Sequence, residues 1–274
     1  MSIGNWGNFM DEDIIRVEFF QPFAQYRNPF TFYYAQSFPL PPPSTIYGMI
    51  GYLIDEYYAE NISQRYKIAI MGRYESSFFN YTGMIKASEV VISPKGQLLA
   101  DKMPLYFSQK VSQRTPVHQT ELFNVHLILF FKATKTDINK LKEGLQSKVF
   151  TIGRGSDIAA IRDIEEEPKI SKTRYLTMNY GTYAPKKQFE KEGSKLRSVF
   201  DIPVYFLPIQ QSFINRGERI RSVHQLNNTT ERNVNFEKTY FLPFGKRLQF
   251  ESEVDAWVPS QSNAVPILWW SDVS

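Results

Sequence analysis

The sequence contains no cysteine and only three histidines among its 274 residues. Without cysteine the chain has no disulfides, thiolate nucleophiles or cysteine-ligated zinc, and three scattered histidines do not predict a metal site. No uncharged apolar run reaches the roughly 18 residues that a membrane-spanning helix needs. Residues 1–13 lack the basic start and apolar core of a signal peptide. We therefore expect a cytoplasmic protein without a metal or other cofactor.

Charge is distributed unevenly along the chain, although the net charge is only +4. Residues 169–250 contain 15 Lys and Arg against 6 Asp and Glu, whereas residues 1–60 contain 2 against 7. This asymmetry suggests one surface for a polyanion and another for protein. The simpler alternative is that the basic loops are only solvated.

Hydrophobic periodicity predicts alternating strands and helices in the first part of the chain. The predicted elements are a strand from Asp13 to Phe19, a loop from Gln21 to Ser37, a helix after Pro43, a strand at Ile68–Met71, a strand from Leu122 to Lys132, a helix capped by Thr136 and a strand from Asp157 to Asp163. This order is the βαββαβ pattern of ferredoxin-like, RRM-like domains.

The acidic segment Glu165–Pro168 predicts a domain boundary. The expected fold class is therefore α+β, with a lead-in at residues 1–13, a ferredoxin-like domain at 14–167 and a strand-rich, basic C-terminal domain at 168–274. The final pair Trp269–Trp270 is either part of the core or a patch for a partner, and we favour the core.

The first predicted helix follows three consecutive prolines that impose an extended approach, which makes Ser44 the natural N-cap. Its apolar face comprises Ile46, Met49, Ile50, Leu53 and Tyr57. Gly48 and Gly51 each cost about 1 kcal/mol relative to alanine, so they indicate close approach of a backbone or a ligand. Free N–H groups beside the hydroxyls of Ser44 and Thr45 suit a phosphate. Tight packing of the helix on a sheet is the simpler alternative.

Residues 80–118 lack helical periodicity and contain five cations, among them Lys86, Lys110 and Arg114. The turn signal Ser93–Gly96 lies in the middle of this segment. The pattern predicts a basic β-hairpin arm that reaches onto a nucleic-acid backbone.

Two other loops carry weaker signals for nucleic acid. Gly153–Ser156 is a glycine-flanked turn in which Arg154 could meet a phosphate. Arg27 lies beside aromatic residues, which fits either a base platform or ordinary loop packing. The paired aromatics of the RNP1 signature are absent, so the sheet face is not an obvious base-stacking surface.

Three segments together resemble the Cas-five family of CRISPR-associated RAMP proteins, which lie at one end of type I Cascade complexes. They are the helix around Ser44–Leu53, the strand Arg114–Val125, and Thr151–Ile158, which is similar to the family's Leu-Gly-Arg loop with Ile for Leu. The most similar branch is type I-B. The resemblance implies a RAMP domain whose arm, at about residues 80–118, is the family's thumb.

The resemblance also implies a function. The chain would be a non-catalytic subunit, not an enzyme, that caps the Cascade backbone and holds the 5′ handle of the CRISPR RNA for RNA-guided DNA recognition in antiviral defence. Its implied partners are that handle, the Cas-seven backbone subunit, the large Cas-eight subunit and target DNA bound through the complex. The predicted RNA-binding residues are Arg27, Ser44, Thr45, Tyr47, Lys86, Lys110, Arg114, His118, Gly153, Arg154 and Arg174.

A metal-independent endoribonuclease that processes the precursor RNA is the alternative function. Such cleavage needs a base for the 2′-hydroxyl and a cation opposite it. His118 would then be catalytic, because Lys110 and Arg114 are close to it in sequence. A scaffold that binds only protein is a third possibility.

Overall fold

A computed structural model gives the structure of the chain, and it describes residues 12–28, 31, 34–56, 62–85, 91–92, 98–100, 114–185, 199–208, 232–245, 247–258 and 265–270. The strands are β1 (Glu12–Ala24), β2 (Tyr26–Arg27), β3 (Tyr34–Ala35), β4 (Ser37–Phe38), β5 (Lys67–Arg73), β6 (Ser76–Ile85), β7 (Val91–Ile92), β8 (Leu98–Ala100), β9 (Arg114–Thr134), β10 (Ala160–Glu166), β11 (Ile170–Thr177), β12 (Gly181–Pro185), β13 (Val199–Pro208), β14 (Arg232–Leu242), β15 (Arg247–Trp257) and β16 (Val265–Pro266). The helices are α1 (Pro43–Leu53), α2 (Ile62–Arg65) and α3 (Lys135–Ser147). The predicted mixture of helices and strand-rich sheets is confirmed.

A nine-stranded sheet forms the centre of the molecule, in the order β10-β1-β9-β5-β12-β14-β13. Strands β3 and β6 also pair with β9. The 21-residue β9 pairs with different strands along its length. Its first half pairs with β6, and its second half lies between β1 and β5. One continuous strand therefore connects the central sheet to the β6–β9 ladder.

The two longer helices cover one face of this sheet. Ile46 and Ile50 of α1 and Leu141 of α3 are fully buried in one cluster with Val17 and Phe19 of β1. Each strand alternates apolar side chains toward the helices with other side chains away from them. This alternation is why the pattern around Ile15, Val17 and Phe19 predicted β1 correctly.

A second sheet, ordered β11-β15-β16, covers part of the other face. Trp257 and Ile267 of this layer share a buried cluster with Met71, Ile128 and Phe130 of the central sheet. The chain is thus layered as helices, central sheet and second sheet over part of its area.

Helix α1 begins two residues earlier than predicted, and its N-cap is Pro42 rather than Ser44. Pro43 takes the first helical position, where its fixed φ suits the helix and its missing N–H would have no intrahelical partner. The Thr45 N–H donates to the Pro42 carbonyl at 2.9 Å. Ser44 therefore lies inside the first turn and is 7% exposed.

The close backbone approach predicted for the glycines of α1 does not occur at Gly48 but is found on the opposite helix, and for the buried Gly51 it stays a prediction. Gly48 is exposed, and a Cβ built there would meet nothing within 4 Å among the described residues. On α3, a Cβ at Gly144 would clash with the carbonyl oxygen of Leu53. Gly144 therefore sets the distance between the two helices.

Helix α3 is capped by Thr134, so the prediction of Thr136 is wrong. The Asp137 N–H donates to the Thr134 hydroxyl at 3.3 Å, and that hydroxyl donates to the Asp137 carboxylate at 3.1 Å. This reciprocal pair has the spacing of a capping box. Arg65 also binds the Asp137 carboxylate, which fixes the helix start to α2.

The predicted loop from Gln21 to Ser37 is partly wrong, because β1 continues to Ala24 and three short strands follow. Gln21 is fully buried, and its amide donates to the carbonyls of Ile152 and Asp157, both at 2.9 Å. A buried glutamine with satisfied hydrogen bonds can continue a strand in which the sequence pattern predicts a break.

The alternation of β9 changes at Asn124, whose φ is +49°. Val125 and Leu127 are buried as predicted, but Phe123 is half-buried and Leu122 takes the core position. A residue in the left-handed region shifts the side-chain alternation by one position.

The acidic residues before Pro168 belong to a strand. Glu165 and Asp163 of β10 bind Arg16, which is 5% exposed and lies 4.6 Å from the Trp257 ring centroid. Strands beyond residue 168 form the second sheet and also extend the central one. The predicted boundary at residues 167–168 stays a prediction.

Trp270 is 2% exposed and exchanges two backbone hydrogen bonds with Ile68, at 2.9 and 2.7 Å. The predicted core position of this residue is confirmed. In the described ranges, no helix is both long enough and apolar enough to cross a membrane.

Candidate nucleic-acid interface

Four ring side chains form an exposed group on the β6–β9 ladder. Tyr34, Phe79 and Tyr81 are 53%, 68% and 63% exposed. The His118 imidazole stacks on the Tyr34 ring with centroids 5.5 Å apart, and the Tyr81 ring meets it edge-on at 5.5 Å. Phe79 contacts Tyr34 edge-to-face at 6.0 Å. We call these four residues the ring cluster.

Backbone pairing holds the ring cluster together. Tyr81 lies opposite His118, and Phe79 follows the same face of β6 two residues earlier. Tyr34 of β3 lies opposite His118 in a parallel pair on the other edge of β9. Three strands therefore fix the rings, and their exposure marks an interaction surface.

The loop Thr151–Ile158 packs against the chain around Gln25 and against β9, on the face of that strand opposite His118. Gly153 has φ +107°, and a Cβ there would come 2.7 Å from the Gln25 carbonyl oxygen. Asp157 is 3% exposed, and its carboxylate accepts the Gln25 N–H at 2.8 Å. The glycine is therefore required by the close approach of the chain around Gln25.

Arg154 holds this loop to β9. Its guanidinium donates to Asp157 at 2.9 Å, to Glu121 at 2.5 Å and to Gln119 at 3.2 Å. Burial lowers the pKa of Arg154, but the hydrogen bonds to Asp157 and Glu121 raise it by more than burial lowers it. The pKa of Arg154 therefore lies above its ordinary value. The guanidinium of Arg154 thus holds the loop to β9 through Gln119 and Glu121, whose side chains alternate with that of His118 and lie on the opposite face of the strand.

The structure brings several of the predicted RNA-binding residues to one place. Gly153 and Arg154 share the loop, and Gln119, the residue after His118, accepts from Arg154. Arg27 is exposed on β2 and follows Tyr26, whose ring lies 3.3 Å from a Cβ built at Gly153. This end of the sheet therefore combines the ring cluster with an exposed cation.

Other predicted residues lie elsewhere. Ser44 and Tyr47 are 7% and 6% exposed, and the Tyr47 hydroxyl donates to the Trp270 carbonyl at 3.4 Å. Thr45 is half-buried, and Arg174 is exposed on β11 of the second sheet. The assignment of these residues to RNA stays a prediction.

The basic arm can be located only in part. Lys86 and Lys110 lie outside the described residues, as does the predicted turn at residues 93–96. Arg114 is the first residue of β9, where it pairs with Ile85. The predicted hairpin thumb stays a prediction, whereas the antiparallel pairing of β6 with β9 is a structural fact.

Sequence reasoning missed Tyr34, Phe79 and Tyr81. The segment Phe78–Tyr81 contains three aromatics in four residues, a signal typical of a strand. Only the cations of the arm entered the prediction, so its aromatic residues were not assigned. Tyr34 could not be assigned from the sequence, because a parallel pair of two residues leaves no pattern.

No group of three potential ligands for a metal ion occurs within the described part of the chain.

Comparison with known proteins gives one family match. The family described as CRISPR-associated protein (Cas_Cas5) matches residues 14–228. No curated protein matches the sequence.

Several solved structures match this chain over most of its length, at low sequence identity and low TM-score. A CRISPR RNA-guided surveillance complex contains a chain that is 10% identical, with 85% of this chain and 90% of that chain covered and a TM-score of 0.45. A CRISPR protein from Archaeoglobus fulgidus is 12% identical, with 93% and 99% covered and a TM-score of 0.43. A chain of the Type III-B Cmr-beta complex bound to cognate target RNA and AMPPnP is 13% identical, with 85% and 86% covered and a TM-score of 0.45.

Proposed function

The chain belongs to the Cas-five family of CRISPR-associated proteins, and from this we propose that it is a non-catalytic, RNA-binding subunit of a CRISPR effector complex. The complex is a type I Cascade, most similar to type I-B. The subunit caps the backbone of the complex and holds the 5′ handle of the CRISPR RNA. Its protein neighbours are the Cas-seven backbone subunit and the large Cas-eight subunit.

The ring cluster is the observation that carries this proposal. Single-stranded nucleic acids stack their bases on exposed aromatic side chains, at about 1–3 kcal/mol per base. Sequence-specific RNA recognition mostly uses such splayed, unpaired bases. Phe79 and Tyr81 offer the most exposed rings of the cluster, so they are the residues on which handle bases stack.

The neighbouring residues support the same ligand. Arg27 is exposed near the loop that carries Gly153, where its guanidinium can meet a phosphate. Arg154 keeps this loop against β9 through its ion pairs with Glu121 and Asp157. We assign Arg27 and His118 to direct contact and Arg154 to positioning.

The fold provides the frame for this function. The four strands β10, β1, β9 and β5, with α1 after β1 and α3 after β9, follow the chain order of a ferredoxin-like βαββαβ unit. We propose that this unit is the RAMP domain and that the β6–β9 ladder is the base of its thumb.

A pull-down from the native host tests the proposal. The tagged chain is purified, its small RNAs are sequenced, and its protein partners are identified. We expect spacer-containing RNAs with one common 5′ end, together with the backbone and large subunits. The amount of this RNA recovered with the double variant Phe79→Ala and Tyr81→Ala should be lower than with the unmodified chain by a factor of about ten or more, because two stacking contacts are lost.

The matched control is Phe244→Ala, which removes a ring that is 41% exposed outside the ring cluster. It should retain as much RNA as the unmodified chain. Recovery of random cellular RNA, or equal RNA recovery from the double variant and the control, would remove the ring cluster from the proposed handle site.

A metal-independent endoribonuclease remains the second candidate, favoured by one observation. The exposed His118 imidazole lies between the rings of Tyr34 and Tyr81, and histidine and tyrosine can serve as base and acid. If this function is correct, the purified chain cuts repeat RNA in the presence of EDTA, and His118→Ala abolishes the cut. Intact RNA after prolonged incubation would exclude it.

A further inference from the structure

Five side chains lie in a line across the central sheet, on the face opposite α1 and α3. They are Arg162 on β10, Phe20 on β1, His126 on β9, Arg73 on β5 and Tyr180 just before β12. The register supports the alignment, because His126 pairs with Phe20 on one side and with Arg73 on the other. We call these five residues the cross-strand row.

The cross-strand row combines three rings with two guanidiniums, in the order Arg162, Phe20, His126, Arg73 and Tyr180. The Phe20 and His126 ring centroids are 5.1 Å apart. The Arg162 guanidinium carbon lies 4.7 Å from the Phe20 ring centroid, and that of Arg73 lies 5.2 Å from the Tyr180 ring centroid. These distances are within the range of cation–π contacts, so the row is a continuous surface of flat groups.

The second sheet ends where the cross-strand row begins. Ile128 and Phe130, the next residues of β9 on this face, are buried against Trp257 and its neighbours. Arg73 and Arg162 are exposed, and the other three members of the row are half-buried. The row therefore borders the covered part of the sheet and remains accessible.

The described carboxylates around the row already have hydrogen-bonding partners, whereas the two guanidiniums of the row contact rings and no described carboxylate. The carboxylates that adjoin it belong to Glu18, Asp163, Glu165 and Glu75. Arg16 binds the first three, and the Asn124 amide donates to the fourth at 2.6 Å. Neither Arg73 nor Arg162 forms an ion pair with a carboxylate among the residues that the structure describes. The row therefore carries two positive charges of its own, beside a group in which Arg16 offsets one of the three carboxylate charges that it binds.

The imidazole of His126 contributes a neutral ring. Burial lowers the pKa of His126, the neighbouring Arg73 and Arg162 lower it as well, and Glu18 raises it, with a net shift below the ordinary value. A neutral imidazole at pH 7 can stack on a base and still donate or accept a hydrogen bond through its nitrogens.

We propose that the cross-strand row is a second nucleic-acid surface, which binds single-stranded RNA separately from the ring cluster. Phe20 and His126 stack on bases, and Arg73 and Arg162 contact phosphates. Rings that can stack on bases, beside guanidiniums that can contact phosphates, are the combination that single-stranded nucleic acid binds. The Tyr180 hydroxyl and the neutral imidazole can bond the 2′-hydroxyl, which favours RNA over DNA.

Fluorescence anisotropy with a labelled oligouridylate of about 15 nucleotides tests the proposal on the full chain. The double variant Arg73→Gln and Arg162→Gln should bind about tenfold more weakly, and its slope of log affinity against log salt should fall by about 1.4, since each lost phosphate contact on a single strand accounts for about 0.7. Phe20→Leu, which keeps apolar volume but removes the ring, should weaken binding about fivefold. The matched control Arg247→Gln removes an exposed arginine outside the row and should leave both quantities unchanged.

Photocrosslinking of the unmodified chain to a bromouridine oligomer gives a second measurement that does not depend on variants. Adducts on peptides that contain Phe20, His126 or Tyr180 are expected.

Absence of these adducts, or equal affinity of the arginine double variant and its control, would overturn the proposal. Tighter binding of oligothymidylate would overturn the assignment to RNA, and binding only by an acidic protein partner would replace nucleic acid as the occupant. Loss of binding in Phe79→Ala with Tyr81→Ala but not in the row variants would support the proposed function and reject this second surface.

Discussion

The sharpest stability prediction concerns Arg154, which connects the Gly153 loop to β9. Its partners are almost fully buried, since the Asp157 and Glu121 side chains are 2% and 9% exposed. Removal of one partner of a buried ion pair costs about 3–5 kcal/mol, because the remaining charge loses its compensation. Arg154 is itself 29% exposed, and Asp157 keeps the Gln25 N–H. We therefore expect Arg154→Met to lower the free energy of unfolding by about 3 kcal/mol, the lower end of the range.

Equilibrium unfolding in urea measures this loss. With a slope of about 3 kcal/mol per molar urea, the midpoint of Arg154→Met should fall by about 1 M. Arg27→Met is the control, because Arg27 is exposed on the same side of the molecule. Its free energy of unfolding should change by less than about 0.5 kcal/mol.

A double-mutant cycle separates the ion pair from simple loss of packing. Glu121→Gln removes the carboxylate that Arg154→Met leaves uncompensated, so it should be destabilising in the unmodified chain and neutral or stabilising in Arg154→Met. The expected coupling energy is about 1–3 kcal/mol. If Arg154→Met costs less than about 1 kcal/mol, or if Glu121→Gln costs the same in both backgrounds, the positioning role of Arg154 is refuted.

Two further predictions concern the helices. The hydrogen bond from Arg65 is the main cause that lowers the pKa of Glu56. Burial raises the pKa of Asp137, but Arg65, together with Thr134 and Lys140, brings it below its ordinary value. The stabilisation from these lowered pKa values is therefore present above about pH 4 and is lost as the pH falls through the lowered values. Arg65→Met should cost about 2 kcal/mol at neutral pH and flatten the acid limb of the stability profile measured by urea unfolding, and an unchanged acid limb would contradict the assignment. Gly48→Ala should raise the free energy of unfolding by about 0.5–1 kcal/mol, whereas Gly144→Ala should lower it by about 1–3 kcal/mol, and similar shifts of the urea midpoint in both variants would refute the packing argument.

The strands were predictable from the sequence wherever one face of the sheet is buried. β1 and β9 have an apolar side chain at every second position over long stretches, and a period of two predicts a strand directly. Predictions failed where a polar side chain is satisfied inside the fold. Gln21 and Arg16 look like surface residues in sequence, yet both are buried, because partners far along the chain satisfy their polar groups.

The candidate site was predictable only where a single segment carries the signal. Gly153 and Arg154 are adjacent in sequence, and the glycine-flanked turn was identified correctly. The ring cluster joins residues from β3, β6 and β9, and no local pattern records that Tyr34 lies opposite His118. The cross-strand row is harder still to predict, because each of its five members comes from a different segment.

The bridge between Ile68 and Trp270 has a consequence for synthesis of the chain. Trp270 belongs to the same buried cluster as residues of α1 and β1. All other buried members of that cluster have been synthesised once the chain reaches Tyr183. At about 5–20 residues per second, the ribosome needs roughly 4–17 s to add the residues between these two positions. During that interval the buried cluster lacks Trp270, so we expect the apolar side chains that this indole covers in the finished fold to be open to solvent in the newly made chain.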